Sequence, residues 1–231
     1  MAAIDEIRLK SVFSEINMPL SDLQISKFST YSGMLVDKNK VINLTAVTDS
    51  EGIIMKHFAD SVLPLTMVDI PAGASLIDVG TGAGFPGIPI KIVRDDLALT
   101  LLDSLNKRVN FLHDVSDALN FGATCIHSRA EDGARGVLRE TFDIAVARAV
   151  ARLSVLSEYC LPYVKVGGKF LALKGSDCTV EIADAKPIIA KLGGEIADVT
   201  EYRLPNGDGR TIVVVEKVRG TPKEYPRRVV K

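Results

Sequence analysis

Tryptophan is absent from the 231 residues, and cysteine and histidine are scarce, with three of each. The cysteines stand far apart, and their number is odd, whereas disulfide frameworks use even numbers of cysteines in ordered patterns. We therefore expect reduced thiols. The histidines are also widely separated, and none pairs with another at the i, i+4 spacing of a helical metal site. The sequence predicts no metal centre. The cysteines and histidines are Cys125, Cys160, Cys178, His57, His113 and His127.

Long hydrophobic runs are missing as well. No run approaches 18 apolar residues, and the opening M-A-A-I-D-E-I-R-L-K alternates apolar with charged positions. This pattern argues against a membrane-spanning helix and against a secretory signal. We expect a cytosolic protein, and a monomer.

A strong charge of either sign is also absent, because the formal net charge is only -1. This balance gives no general electrostatic attraction to nucleic acid. The distribution is less even: residues 216–231 hold six basic and two acidic side chains. A solvated terminus and a contact with phosphates explain such a run equally well.

The chain up to residue 71 has helical patterns only. Apolar residues from Ile4 to Ile16 recur at helical spacing, and Ser21 with Gln24 predicts a capping box that opens a second helix through Leu35. Thr48 with Glu51 predicts the start of a third helix. We therefore expect a helical extension over residues 1–71.

From Ser75 onward, short β-branched runs alternate with helical patterns, which predicts an α/β fold with a mostly parallel sheet over residues 72–218. The turn sequence P-N-G-D-G joins the last two strands and predicts an antiparallel hairpin at the end of the sheet. Residues 219–231 form the predicted basic tail. The predicted strands are Leu76–Val79, Leu97–Leu102, Thr124–His127, Phe142–Ala147, Lys169–Leu173, Glu195–Tyr202 and Thr211–Glu216, and the clearest helices are Asn106–Leu119 and Ala151–Leu161.

A glycine-rich loop follows the first predicted strand in the stretch I-D-V-G-T-G-A-G-F-P-G-I-P-I from Ile77. Read from Gly82, it fits the dinucleotide pattern G-x-G-x-x-G; read from Asp78, it fits the D-x-G-x-G-x-G loop of an S-adenosylmethionine site. Pro86 and Pro89 remove N–H donors that a pyrophosphate would need at the following helix. Asp78 would repel a pyrophosphate and suit a ligand with an ammonium and a sulfonium, so the loop favours S-adenosylmethionine.

Polar residues also stand where the later strands end. Asp103 ends the second strand, 21 residues after Gly82, and its carboxylate suits the ribose hydroxyls of either cofactor. Arg148 ends the fourth strand and Lys174 the fifth. Because the carboxyl ends of parallel strands meet at one edge of a sheet, these residues predict a common site. Arg148 is the sharpest candidate, since a guanidinium suits a cofactor, a guanine edge or a phosphate.

His57 and Asp60 stand three residues apart on a predicted helix and so share one face. That spacing is compatible with two roles. The pair could make a structural contact between this helix and the sheet domain, or it could cover the mouth of the cofactor pocket. We favour the structural contact.

Eight stretches in order along the chain carry a resemblance that covers nearly its whole length. They are N-L-T-A-V at Asn43, H-F-A-D-S at His57, L-I-D-V-G-T-G-A-G-F-P-G-I-P-I at Leu76, T-L-L-D-S-L-N-K-R-V-N-F-L at Thr100, S-R-A-E-D at Ser128, A-R-A-V-A at Ala147, L-A-L-K-G at Leu171 and T-P-K-E-Y-P-R at Thr221. In these stretches the chain resembles the bacterial small-subunit ribosomal RNA methyltransferase G family, also called glucose-inhibited division protein B. The resemblance implies a Rossmann-like, S-adenosylmethionine-dependent methyltransferase that modifies N7 of a guanine in 16S ribosomal RNA within the small subunit.

The resemblance also places Arg148 in the site. Guanine N7 carries a free lone pair, so no catalytic base is needed and the site has only to hold the reactants in line. Arg148 and Lys174 are the expected catalytic residues, through orientation of cofactor or base. Two alternatives stay open, a nicotinamide-dependent oxidoreductase on the same scaffold and a non-catalytic ribosome-binding module. The expected cofactor-binding residues are Asp78, Gly80, Gly82, Phe85, Asp103, Ser104, Ala130, Glu131 and Arg148.

Overall fold

The computed structural model describes residues 4–148 and 151–227. Arg228 and Lys231 of the predicted basic tail lie outside these residues. The α-helices are α1 (Glu6–Glu15), α2 (Asp22–Asn39), α3 (Ser50–Gly52), α4 (Asp60–Val62), α5 (Gly87–Val93), α6 (Asn106–Leu119), α7 (Ala130–Gly133), α8 (Leu153–Cys160) and α9 (Thr179–Lys191), with a π-helix at Ile53–Ala59 and 3-10 helices at Leu63–Thr66 and Leu161–Tyr163.

A seven-stranded sheet forms the centre of the molecule, in the order β3-β2-β1-β4-β5-β7-β6. The first five strands are parallel, and β7 is antiparallel to both β5 and β6. The predicted α/β fold and terminal hairpin are therefore confirmed. The strands are β1 (Ser75–Val79), β2 (Ala98–Asp103), β3 (Thr124–His127), β4 (Phe142–Arg148), β5 (Val164–Gly175), β6 (Gly194–Arg203) and β7 (Gly209–Lys217).

Several element boundaries differ from the sequence prediction, and three of them concern β5, the third helical segment and α2. Strand β5 begins at Val164 instead of Lys169, because the irregular register with β4 accommodates the Gly167–Gly168 pair and Gly167 takes φ 87°. The third helical segment is capped by Asp49 instead of Thr48, since the Asp49 carboxylate accepts the N–H of Gly52 at 2.7 Å. Helix α2 has the predicted capping box but continues to Asn39.

The N-terminal helices and the sheet share one hydrophobic core. Leu9, Phe28 and Phe58 are fully buried in the same cluster as Leu171 and Val214 of the sheet. A second cluster on the other face of the sheet packs α8 and α9 against β4, β5 and β7. The helical extension thus covers one face of the sheet, as expected for a layered α/β domain.

Tyr31 connects the extension to the glycine-rich loop. Its ring lies 5.7 Å from that of Phe58 and 5.5 Å from that of Phe85, between ring centroids. Its hydroxyl donates to the carbonyl of Ala83 at 2.7 Å. Helix α2 therefore fixes the position of the loop that follows β1. Among the residues described, no helix has both the length and the apolar character needed to cross a membrane.

Candidate functional site

A cavity of about 380 Å³ lies at the carboxyl ends of β1, β2, β3 and β4, the edge where α/β sheets bind ligands. This volume is in the range of small-molecule sites. It brings together five of the predicted cofactor-binding positions with Arg148. The lining residues are Val79, Gly80, Leu102, Asp103, Ser104, Arg108, Ser128, Arg129, Ala130, Glu131, Arg148 and Tyr159.

Two glycines shape the loop beside this cavity through their backbone conformation. Gly80 has φ 72° and Gly82 has φ 63°, in the left-handed region that favours glycine. The Gly80 N–H donates to Leu102 at 2.8 Å, and the Gly82 N–H donates to the Asp103 carboxylate at 2.9 Å. An added Cβ at Gly82 would meet no atom within 4 Å, so the conformation and not the space requires glycine there.

Asp78 lies beneath the loop and is not among the residues that line the cavity, so its role in cofactor binding stays a prediction. It is fully buried, and its Oδ2 accepts the Thr81 hydroxyl at 2.6 Å and the Gly87 N–H at 2.8 Å. Burial raises its pKa to about 7. Because the carboxyl is partly protonated at neutral pH, repulsion of a pyrophosphate by Asp78 is weaker than the sequence suggested.

The first turn of α5 nevertheless offers little to a pyrophosphate. Residues 86–90, which the structure describes in full, include the two prolines, and the remaining N–H groups are already bonded. Gly87 donates to Asp78, Ile88 to Gly84 at 2.8 Å and Ile90 to Pro86 at 3.2 Å. The two prolines and the hydrogen bonds around them thus leave no free N–H at residues 86–90 for a pyrophosphate.

Acidic side chains define the part of the cavity near β2 and α7. Asp103 is 3% exposed, and Glu131 is 7% exposed. Asp103 accepts the Leu105 N–H at 2.9 Å and lies 3.5 Å from the guanidinium of Arg108. A carboxylate has about four acceptor sites, and with the Gly82 N–H three of them are used, so Asp103 retains capacity for a ligand hydroxyl.

A second cavity, of about 340 Å³, lies on the other side of Arg148. Arg148 lines both cavities, so its guanidinium separates them. The cavity is formed by the π-helix, α4 and the ends of β5 and β7. Its lining residues are Lys56, His57, Asp60, Arg148, Leu173, Lys174, Gly175 and Arg210.

Arg148 is held by groups from the helical layer. Its side chain is 14% exposed and donates to Asp60 at 3.2 Å and to the Lys56 carbonyl at 3.1 Å. Its guanidinium carbon lies 5.1 Å from the centroid of the Phe85 ring. Phe85, a predicted cofactor residue, is 7% exposed, and the face of its ring packs against the Arg148 guanidinium.

His57 and Asp60 both contact the sheet and both line the second cavity. The His57 ring stacks on Phe85 at 4.4 Å between centroids, and its Nε2 lies 2.8 Å from the Thr45 hydroxyl. Burial, followed by the charge of Arg148, lowers the pKa of His57 to about 4. His57 is therefore neutral at physiological pH, and Arg148 is the cation between the cavities.

Lys174 lies at the second cavity but is engaged by the protein itself. Its side chain is 11% exposed, and its Nζ lies 2.7 Å from the Glu181 carboxylate. The same ammonium donates to the Ala151 carbonyl at 3.0 Å, while Glu181 accepts the Leu153 N–H at 3.1 Å. Lys174 and Glu181 thus hold Ala151 and Leu153 at the start of α8.

Sequence reasoning missed several residues of the two cavities. Arg210 lies at the amino end of β7, and because β7 is antiparallel, this end lies beside Gly175 at the carboxyl end of β5. The predicted hairpin could have revealed this placement. Tyr159, inside α8, gave no comparable signal.

The fold has solved counterparts with low sequence identity. It is similar to a SAM-dependent methyltransferase from Aquifex aeolicus, with a TM-score of 0.52 and 16% identity over 78% of this chain and 97% of that one. It is also similar to M. jannaschii TYW2 in complex with AdoMet, with a TM-score of 0.51 and 14% identity over 63% of this chain and 69% of that one. Together, the sheet order, the cavity and these neighbours define a Rossmann-like methyltransferase fold.

Sequence relatives are much closer. The family described as rRNA small subunit methyltransferase G matches residues 24–206. A protein named Ribosomal RNA small subunit methyltransferase G from Clostridium beijerinckii is 52% identical over 217 residues, 93% of this chain and 91% of the relative. One of the same name from Clostridium perfringens is 47% identical over 223 residues, 95% of this chain and 93% of the relative. The chain belongs to the rRNA small subunit methyltransferase G family.

Proposed function

We propose that this protein transfers a methyl group from S-adenosylmethionine to N7 of a guanine in 16S ribosomal RNA of the small ribosomal subunit, in the cytoplasm. The observation that carries the proposal is the position of Arg148 between two cavities. One cavity suits the cofactor, the other suits the target base, and the reacting atoms would meet beside Arg148. Family membership supports the ribosomal substrate.

The first cavity fits the chemistry of S-adenosylmethionine. Its buried acidic residues, Asp103 and Glu131, suit ribose hydroxyls and an adenine amino group, and Gly80 and Ala130 leave room close to the backbone. The engaged N–H groups at residues 87, 88 and 90 suit a ligand without phosphate. When bound, S-adenosylmethionine supplies a methyl group activated by a sulfonium.

The residues of the second cavity would orient the base without removing a proton. Guanine N7 must keep its lone pair free to attack, so the Arg148 guanidinium would donate to O6 and leave N7 unbonded. His57 is neutral, because its pKa is about 4, and its ring, stacked on Phe85, lines the cavity that the base would enter. Arg148 thus has a positioning and electrostatic role. A small displacement of the base from its line with the methyl group would strongly reduce the rate of methyl transfer.

Exposed basic side chains surround the two cavities and suit the phosphates of an RNA strand. Lys56 is exposed beside the second cavity, and the Arg129 side chain is 57% exposed beside the first. Contacts of this kind supply affinity that weakens steeply as salt rises. We therefore expect strong salt dependence of RNA binding, despite the net charge near zero.

The test is methyl transfer to undermethylated small subunits with methyl-labelled S-adenosylmethionine, followed by mapping of the labelled nucleotide. The proposal requires label on guanine N7 of 16S ribosomal RNA. Label on another position would correct the assigned atom, and no label at low and moderate salt would favour a non-catalytic ribosome-binding module. Calorimetry with S-adenosylmethionine and NAD in parallel distinguishes a nicotinamide-dependent enzyme.

A further inference from the structure

The segment T-P-K-E-Y-P-R, residues 221–227, has no part in either cavity, yet it is tightly bound to the domain. We call it the C-terminal strap. Arg139, in the turn region before β4, donates to three of its carbonyls: Thr221 at 2.7 Å, Pro222 at 3.2 Å and Tyr225 at 2.8 Å. A guanidinium with fixed, planar donors is suited to this bracing.

The beginning of the strap is anchored by a buried lysine. Lys217 is 1% exposed, and its ammonium donates to the Thr221 hydroxyl at 2.7 Å and to the Leu161 carbonyl at 2.6 Å. Glu140 accepts the Thr221 N–H at 2.6 Å and lies 3.2 Å from the Lys217 ammonium. Burial lowers the pKa of Lys217 to about 8, and the charge and hydrogen bond of Glu140 oppose this shift.

The end of the strap is fixed by Arg227. Its guanidinium lies 2.7 Å from the Glu158 carboxylate, and its backbone N–H donates to the same carboxylate at 2.5 Å. The Glu158 side chain is only 8% exposed, whereas that of Arg227 is 68% exposed. Two of the six basic residues of 216–231, Lys217 and Arg227, are therefore engaged by the protein itself.

The strap contacts α8 and the turn that follows α7, and both of these helices carry residues that line the first cavity. Glu158 precedes Tyr159 on α8, and Tyr159 lines the cavity. Arg139 also donates to the Ala134 carbonyl at 3.3 Å, and Arg135 donates to the Pro226 carbonyl at 2.5 Å, so the turn after α7 is joined to the strap. Helix α7 carries Ala130 and Glu131, which line the same cavity.

We propose that the C-terminal strap is a positioning element for the cofactor cavity. It acts on α8 through the Arg227–Glu158 pair, and on the end of α7 through Arg139, which donates to the Ala134 carbonyl. This inference rests on the proposed function, because it takes the first cavity as the S-adenosylmethionine site. The strap sets how closely Tyr159 and Glu131 approach the ligand. RNA contact by the strap is the competing explanation.

The test uses charge reversal at an exposed position. Arg227→Glu, Glu158→Arg and the double variant are compared with wild type by calorimetric titration with S-adenosylmethionine in the absence of RNA, and by the KM for small subunits. Lys223→Glu is the matched control, because Lys223 is exposed in the same strap and the change in charge is the same. Melting temperatures verify that each variant is folded, and Arg227→Gln replaces Arg227→Glu if the latter is not.

We expect Arg227→Glu to raise the Kd for S-adenosylmethionine by about tenfold, within the usual coupling between contacting residues. The double variant re-forms the ion pair but not the bond from the backbone N–H of residue 227 to the Glu158 carboxylate, so it should restore part of the affinity. Lys223→Glu should leave the affinity unchanged. An unchanged Kd in Arg227→Glu would overturn the positioning role. If instead the KM for subunits rises alone, the strap contacts RNA. Failure of the wild type to bind S-adenosylmethionine would overturn the proposed function itself.

Discussion

Arg148 donates to Asp60 at 3.2 Å across the junction between the helical extension and the sheet. The other oxygen of the same carboxylate accepts from Arg210 at 2.8 Å, so one buried Asp60 holds two guanidiniums from β4 and β7. Breaking a buried pair leaves an uncompensated charge, which is costly. The junction therefore fixes Arg148, which lines both cavities.

Substitution of Arg148 should impair the reaction without unfolding the protein. In Arg148→Ala, Asp60 keeps Arg210 as its partner, so the fold is retained. We expect methyl transfer to small subunits to fall by at least about tenfold through loss of orientation. Arg8→Ala, which removes a surface pair with Glu51, is the control and should remain active. Unchanged transfer in Arg148→Ala would remove Arg148 from the site.

Asp78 should make the stability of the protein decrease as pH rises. Its native pKa is about 7, above the ordinary value of 3.8, so between these values the native state holds more protons than the unfolded state. In wild type, the stabilisation that comes from protonation of native Asp78 is complete below pH 4 and is lost by pH 7. Asp78→Asn keeps an acceptor for Gly87 and removes the titration. Urea unfolding at pH 5 and pH 8 should therefore show the variant gaining a few kcal/mol relative to wild type at the higher pH. If the free energies of unfolding of the variant and the wild type differ by the same amount at pH 5 and at pH 8, the pKa of Asp78 is not raised.

His57 should have the opposite effect in the same pH range. Its native pKa is about 4, below the ordinary 6.5, so between these values the unfolded state holds more protons and stability is lost as pH falls. His57→Gln should reduce this loss, by an amount on the order of 3 kcal/mol at most. The control is His113→Gln, an exposed position on α6. If both variants lose the same stability between pH 7 and pH 4, His57 does not titrate as described.

The sequence located the strands and Arg148 because both depend on local patterns, namely short β-branched runs and the polar residue that ends each one. The burial of Asp78 depends on the Gly87 N–H, nine residues away, which no local pattern specifies. Similarly, a run of basic residues does not reveal that Lys217 is buried and that Arg227 is paired with Glu158. These features were set by long-range partners, which only the fold brings together.

Lys174 and Glu181 offer a test of how the chain after Arg148 is held. Lys174 lines the second cavity, whereas Glu181, on α9, is joined to it at 2.7 Å and also accepts the Leu153 N–H. If Lys174 acts by holding Ala151 in place, Glu181→Gln should lower methyl transfer by about as much as Lys174→Met, and the double variant should be no worse than either single one, as expected for coupled residues. If Lys174 instead contacts the substrate, Lys174→Met should be much more damaging than Glu181→Gln. Single-turnover rates at saturating S-adenosylmethionine distinguish these outcomes, and Glu195→Gln, on the edge strand β6, is the control for loss of a surface carboxylate.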